Sequence, residues 1–308
     1  MFIKSPLSYA GNKFQILNII YNYIKNDEVI LDLFCGSSVV GINSRNKKII
    51  INDLNKSIIE ILKYLIKNKL DKIVSDIENV IHKFDLTNSF RNSYSFYKSK
   101  LKNTSNNGLK ELNIVSFNKL RSYYNSLNDK FTEEAIIILF VLKIYGFNGE
   151  IRFNSIGNYN IPVGKTDFNK ATFKRIENFK LKTNNMKIDI NNFDFRDERL
   201  NQKILDSDIV YIDPPYLLTE ATYNKEWDIN TEIEFYAFIE KKILANNKKI
   251  IISNILKRGD KINIELKKFI KRNNLIVKEI EKNYISSSYN KKNRYTLDKE
   301  VLVMNFEI

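Results

Sequence analysis

The sequence predicts a parallel, doubly wound α/β sheet interrupted by a mainly helical segment of different character. Three observations carry this reading. Residues 29–34 form a short apolar run that ends in a small-residue turn, Cys35-Gly36-Ser37-Ser38, as a buried strand entering a helix does. Residues 48–53 hold a second such run, and Asn55 stands where it caps a following helix whose Ile58, Ile61, Leu62 and Leu65 recur at helical spacing. Buried strands then return at residues 209–212, 250–252 and 301–304. Two strand–helix pairs in so short a stretch argue for a parallel sheet with crossover helices.

The interrupting segment reads differently. Residues 83–130 hold nine cations against three anions, many Ser and Asn, and interleaved Tyr and Phe, with no buried strand. A strongly apolar helix is expected around residues 132–145. Residues 146–165 alternate on both sides of a turn, which predicts a β-hairpin. The expected division is residues 1–55 and 166–308 for the α/β part, and 56–165 for the insert.

Composition narrows the chemistry. The 308 residues, 43% hydrophobic, suit a folded chain of about two domains. One Cys (Cys35) and one His (His82) leave no internal disulfide and no Cys/His zinc cage, and no Ser-His-Asp triad unless His82 supplies it. Cys35 reads as a small core residue and His82 as a solvated helix residue. No metal site is expected. The net charge of +14 favours a polyanion partner, although its source is 40 Lys and only 10 Arg in a chain crowded with Ile and Asn. Nucleic acid ranks ahead of membrane, because the apolar run at residues 135–142 is far short of the roughly 20 residues of a spanning helix. The first residues lack the apolar stretch of a signal peptide, so a cytoplasmic location is expected.

With 9 Gly and four Pro, the chain is poor in both, which directs attention to where they sit. Gly36 follows the first strand and Asp53 ends the second, 17 positions on, where an acidic side chain accepts from ribose hydroxyls. The turn is not G-x-G-x-x-G. Gly36 and Gly41 have phosphate-loop spacing, but Ile42 and Asn43 stand where Lys and Ser/Thr are needed. A nucleoside without a phosphate chain fits better, and S-adenosylmethionine is the candidate; a plain tight strand–helix junction is the competing reading.

Asp213-Pro214-Pro215-Tyr216 follows the strand at residues 209–212. Two prolines stop the strand and leave carbonyls facing outward. A carboxylate beside a rigid carbonyl makes an acceptor pair that holds both hydrogens of an exocyclic amino group and orients its lone pair. Tyr216 adds a flat face on which a base can stack. The alternative is an ordinary Asp-Pro turn starter.

These blocks resemble the Dam-type (D12 class) DNA adenine-N6 methyltransferases, in the family's order and over nearly the whole chain. Residues 5–13, with an aromatic four positions before Lys13, resemble the N-terminal cofactor block, and residues 31–36 the glycine-turn block. Asn148-Gly149 through Arg152, Asn154, Gly157, Asn160, Pro162 and Gly164 resemble the DNA-reading hairpin, the most specific of the matches. Asp213 to Tyr216 resembles the catalytic block, and residues 300–306 the closing strand.

The resemblance implies a Rossmann-like S-adenosylmethionine-dependent methyltransferase sheet with an inserted target-recognition domain at 56–165. It implies that Tyr9, Lys13, Phe34, Gly36, Asp53 and Asp213 contact S-adenosylmethionine, with Asp194 and Phe195 flanking its adenine. Asp213, Pro214, Pro215 and Tyr216 become catalytic, acting on an adenine flipped out of double-stranded DNA. Asn148, Glu150, Arg152, Asn154, Asn160 and Pro162 become DNA-binding, with Arg152 as a base contact. Glu150 stands where relatives often carry an apolar residue, so the recognition sequence is expected to depart from GATC. Two departures stand out: the turn reads Phe-Cys-Gly-Ser-Ser where many members have a second glycine, and Asn12 stands where another is frequent. The implied setting is restriction–modification or an orphan or phage methylation role, with a monomer on DNA and any endonuclease encoded separately. Cytosine N4 or RNA adenine as target, or a catalytically idle DNA-binding protein, are the alternatives.

Overall fold

The computed structural model describes residues 1–7, 11–101, 107–219, 227–280 and 298–307. The chain forms two compact units. One comprises residues 1–15, 36–43 and 55–190, the other residues 16–35, 44–54 and 191–308.

The second unit is built on a sheet. Its strands are β1 (Ile30–Asp32), β2 (Lys48–Asn52), the last residue of β3 (Lys187–Asn191), β4 (Ile209–Ile212), β5 (Lys249–Arg258), β6 (Lys261–Ile262), β7 (Ile276–Ile280) and β8 (Lys299–Met304). The order runs β2-β1-β4-β5-β8-β7, with β6 on β5. β2, β1, β4 and β5 are parallel, while β8 and β7 add antiparallel. Asn191 lies beside β2, its carbonyl accepting from Asp53 N at 3.4 Å. A mostly parallel sheet with packed helices is the Rossmann-like arrangement that the sequence predicts.

The central strands carry apolar runs because both of their faces are covered. Leu31, Val210, Ile212, Ile250, Ile252, Val301 and Val303 project into one core with Phe235 and Ile239, and with Leu266 and Phe269 of the helix Ile264–Arg272. Burying each of these side chains contributes about 1.5–3 kcal/mol. β3 and β7 carry no such run. Their sequences, Lys-Ile-Asp-Ile-Asn and Ile-Val-Lys-Glu-Ile, are largely half-buried or exposed.

The first unit is helical. Asn55 caps the helix Lys56–Lys67, accepting from Ile58 N at 3.3 Å as expected. The apolar run becomes the helix Glu133–Tyr145, capped by Thr132 and with Glu133 and Glu134 in its first turn. That helix packs against Lys56–Lys67, Leu70–Lys83 and Lys110–Ser126. It is buried along nearly its whole length, which explains an apolar face on every side. The helix Lys170–Thr183 also packs on Lys56–Lys67 and Leu70–Lys83. Residues 166–190 therefore belong to this compact unit as well. His82 is exposed in the last turn of its helix, and Cys35 is buried. No helix among the described residues is long and apolar enough to cross a membrane.

Candidate active site and nucleic-acid interface

Parallel strands put their carboxyl ends at one edge, and the candidate residues of the second unit follow those ends. Asp32 of β1 pairs with Ile51 of β2 and with Tyr211 of β4. Asp53 and Asp213 each lie two residues beyond those partners, so they flank β1 two strand spacings apart, roughly 10 Å. The turn after β1 is stitched to both neighbours: Leu33 N donates to Tyr211 O at 3.0 Å, and Cys35 N to Asn52 O at 2.8 Å. Asn52, which ends the apolar run of β2, is a buried clamp. Its amide donates to Leu33 O and Phe193 O and accepts from Phe193 N, at 3.1, 3.0 and 2.9 Å. One side chain thus holds the β1 turn against the loop that carries Asp194 and Phe195.

Phe34 and Phe195 share an aromatic wall. Phe34 meets Trp227 and Phe235 edge-on, with centroids 5.9 and 5.3 Å apart, and Phe195 contacts the same two rings at 6.0 and 5.2 Å. Trp227 is anchored from behind. Its indole N–H donates to Glu232 Oε2 at 3.1 Å, while Glu232 Oε1 accepts from Tyr236 and Asn263, both at 2.7 Å. Glu232 is buried, and three donors compensate its desolvation. Asp194 accepts from its neighbour Arg196, at the backbone N (2.9 Å) and the guanidinium (3.2 Å). Sequence reasoning missed Asn52, Trp227 and Glu232; the only signal was a polar residue closing an apolar run at Asn52.

At the end of β4, Tyr216 turns back on the corner. Its hydroxyl donates to Asp213 Oδ1 at 2.7 Å and lies 3.3 Å from Ser253 Oγ on β5. Burial and then the Asp213 charge push the Tyr216 phenol well up, so it stays a protonated donor. The Cys35 thiol is likewise pushed up, by burial first and then by Asp53 and Asp32. A thiol so held is a poor nucleophile.

The expected hairpin belongs to the first unit. The chain reverses at residues 154–158 through a Gly157 at φ +76°, with β-bridges at Gly146–Val163 and Phe153–Tyr159 and backbone bonds from Asn154 N to Asn158 O and from Asn160 N to Arg152 O at 2.9 and 3.1 Å. Side chains reinforce these bonds. Asn154 Oδ1 accepts from Ile156 N and Asn158 N, closing the turn. Asn125 brackets Tyr159 through both its amide groups, at 3.1 and 2.8 Å. At the base, a Cβ on Gly164 would come 2.7 Å from Gly146 O, so the two limbs approach as only glycine permits. Arg152 Nε donates to Asn160 Oδ1 across the loop at 2.9 Å, which fixes the direction of the guanidinium. Asn148, at φ +56°, donates to Glu150 Oε1 at 3.4 Å, and Pro162 O accepts from Phe147 N at 2.8 Å. Asn154 and Asn160 thus shape the loop. Of the cations at 83–130, Lys83 pairs with Glu134, Arg91 with Glu78, Arg121 donates to Ile161 O, and Lys130 caps carbonyls at the end of the helix Lys110–Ser126.

A strand-end Asp-Pro-Pro-Tyr corner and a glycine-based loop holding an arginine agree with a comparison of the whole chain. The D12 class N6 adenine-specific DNA methyltransferase family matches residues 9–296. The chain belongs to this family. It is 29% identical to the modification methylase StsI of Streptococcus sanguinis and to the type II methyltransferase M.FokI of Planomicrobium okeanokoites, over 99% of the chain and 43% of each relative. It is 26% identical to the DNA adenine methylase of Escherichia coli strain K12, over 72% of the chain and 68% of that protein. The chain thus spans less than half the length of the modification methylases it matches.

The family's remaining expected contacts fall elsewhere. Tyr9 lies outside the described residues. Lys13, buried in the first unit, donates to Gly11 O at 2.9 Å. Gly36 takes φ +46°, a conformation that suits its glycine. Two residues on, Ser38 takes φ +56° with a side chain, and its buried hydroxyl has no partner among the described residues. The missing second glycine of the sequence is therefore a local strain. A left-handed non-glycine residue costs roughly 1–2 kcal/mol, and an unsatisfied buried hydroxyl about 1–3. Greater freedom of glycine in the unfolded chain returns about 0.4–1 kcal/mol of that. Ser38→Gly is expected to raise stability by about 1 kcal/mol or more, read as a higher urea midpoint at unchanged slope. A lower midpoint would show that the serine is stabilising.

Proposed function

We propose that this chain is a site-specific DNA adenine-N6 methyltransferase using S-adenosylmethionine. The observation that carries the proposal is the Asp213–Tyr216 corner at the carboxyl end of β4, in a chain of this family. The residues at this edge fit the cofactor chemically. Asp53 offers a carboxylate for ribose hydroxyls, and half-buried Phe34 offers aromatic surface for a flat base, backed by the buried Phe195 in the same aromatic wall. Tyr9, Lys13, Phe34, Gly36, Asp53, Asp194, Phe195 and Asp213 would hold S-adenosylmethionine, which when bound supplies an electrophilic methyl group.

The target adenine leaves the duplex at a cost of a few kcal/mol. Its ring stacks on Tyr216. Asp213 and the Pro214 carbonyl accept its two amino hydrogens, and Pro215 stiffens the turn. This arrangement aims the nitrogen lone pair and holds it in a near-attack position. The nitrogen is itself the nucleophile, so no enzyme thiolate is needed, in keeping with the raised pKa of Cys35.

Residues 1–55 and 166–308 form the catalytic part in this reading, and residues 56–165 read the DNA. Asn148, Glu150, Asn154, Asn160 and Pro162 build the reading loop around Arg152. The two terminal amino groups of Arg152 make no hydrogen bond among the described residues, and they suit the forked pattern of guanine O6 and N7. Glu150 suits a cytosine N4 amino group, giving a site other than GATC. The enzyme acts in the cytoplasm as a monomer on double-stranded DNA, in restriction–modification with a separate endonuclease or in an orphan or phage role.

The test is to sequence methylated bases in DNA from cells expressing the chain. N6-methyladenine in one recurring sequence is the expected result; N4-methylcytosine, or no methylation by folded, cofactor-supplied protein, would overturn it. Arg152→Ala is expected to relax discrimination by about 1–3 kcal/mol at one base pair. A uniform loss across all sequences would make Arg152 a phosphate contact instead.

A further inference from the structure

Ser253 lies on the neighbouring strand to the corner. The β4–β5 register pairs Ile212 with Ile252, so the next residue on each strand sets Asp213 opposite Ser253. Ser253 is fully buried, paired on its other side with Leu302 of β8. Its hydroxyl oxygen is 3.3 Å from that of Tyr216, which is 2.7 Å from Asp213 Oδ1.

The direction of these bonds follows from counting hydrogens. A phenol has one, and Tyr216 gives it to the carboxylate, which has none to offer when ionised. Within the Ser253–Tyr216 contact the serine hydroxyl is then the donor and the Tyr216 oxygen the acceptor. The result is a directed chain, Ser253 to Tyr216 to Asp213, whose members polarise one another in the same sense. The charged and titratable groups facing the phenol are Asp213, Glu300 and Tyr211, and both carboxylates favour its protonated form.

We propose that Ser253 is a positioning residue, tethering the Tyr216 hydroxyl so that the ring face and the Asp213 carboxylate are set before a base arrives. This rests on the adenine methyltransferase reading of the same corner. A tyrosine ring free about its side-chain torsions would have to be ordered at each turnover, whereas one held at its hydroxyl end by two strands is already in place. The hydroxyl end also points toward Asp213, so the amino end of a stacked adenine lies over it, beside the carboxylate that receives it.

The experiment is a double-mutant cycle on the full chain, read as the single-turnover rate of methyl transfer to duplex DNA and as KM for DNA and for S-adenosylmethionine. Ser253→Ala and Tyr216→Phe are each expected to slow transfer about tenfold, the effect of one lost hydrogen bond to a charged chain, with both KM values within about twofold. The double variant is expected to be no slower than the slower single one, since both changes cut the same tether. Losses that multiply, a Ser253→Ala rate equal to wild type, or an effect confined to KM would each overturn the tether. Asp213→Ala run alongside separates the two levels. If it is inactive while Ser253→Ala and Tyr216→Phe are normal, only the tether fails; if it also turns over normally, the reading of the corner fails with it.

Discussion

Asp213→Ala is expected to lower methyl transfer by on the order of 10^3-fold or more while the protein stays folded. In the proposed function, two separate contributions are removed. The carboxylate is one half of the acceptor pair that orients the amino group, and misplacing a reacting atom by about 1 Å alone costs about 10^2-fold. It is also the preorganised negative charge beside a nitrogen that becomes positive as it is alkylated, an electrostatic contribution of about 10^2–10^3 when one such group is deleted elsewhere. The fold is expected to persist because Asp213 lies beyond the last residue of β4 and is only half-buried. The Tyr216 hydroxyl that it releases still has Ser253 within 3.3 Å. Asp213→Asn keeps one carbonyl acceptor and is expected to fall between the two. The measurement is single-turnover transfer of labelled methyl groups, with circular dichroism to verify folding. A folded Asp213→Ala protein that turns over normally removes this residue from the chemistry.

Lys143→Met is expected to stabilise the protein by on the order of 2–4 kcal/mol at or below pH 7, and by progressively less as the pH rises. Lys143 sits in the apolar helix Glu133–Tyr145, only 3% exposed, and makes no hydrogen bond among the described residues. Burial lowers its pKa from the usual range to about 7, and the nearby positive charge of Arg175 adds to that. The folded-state value lies below the unfolded one, so between about pH 7 and the ordinary lysine range the unfolded chain binds more protons. Stability therefore rises with pH across that window, and the cost of the charged lysine is fully present below it. Methionine fills a similar volume without a charge to desolvate. Urea unfolding of both proteins at pH 6.5 and about pH 10 checks this. The two stability differences must diverge, with the larger at the lower pH. Equal differences would mean that Lys143 does not titrate in that window.

Much of this molecule is legible from local pattern. The strands that became β1, β2, β4 and β8 announce themselves as apolar runs because each is covered on both faces. β3 and β7 are hidden for the opposite reason. They are partly solvated, so polar residues are tolerated and the signal weakens to Lys-Ile-Asp-Ile-Asn and Ile-Val-Lys-Glu-Ile. The hairpin showed in its glycines, but the means of holding it did not. Asn125 is distant in sequence from the Tyr159 that it brackets, and no spacing rule connects them.

The corner itself divides in the same way. An Asp-Pro-Pro-Tyr run after a buried strand names its chemistry through short-range facts: two prolines fix backbone torsions, and a carboxylate and a carbonyl become neighbours by covalent connection alone. The family's hairpin and glycine turn are likewise contiguous, so they can be read residue by residue. Register, by contrast, is a relation between strands far apart in the chain, and it set Ser253 opposite Asp213; the packing of the connecting loops then brought Leu33 and Phe193 onto Asn52 and Trp227 edge-on to Phe34. What the chain carries locally marks its family and the reaction proposed for it. Only folding decided which distant side chains hold those groups still, because hydrogen bonds and ring contacts form between neighbours in space, and sequence separation does not determine who those neighbours are.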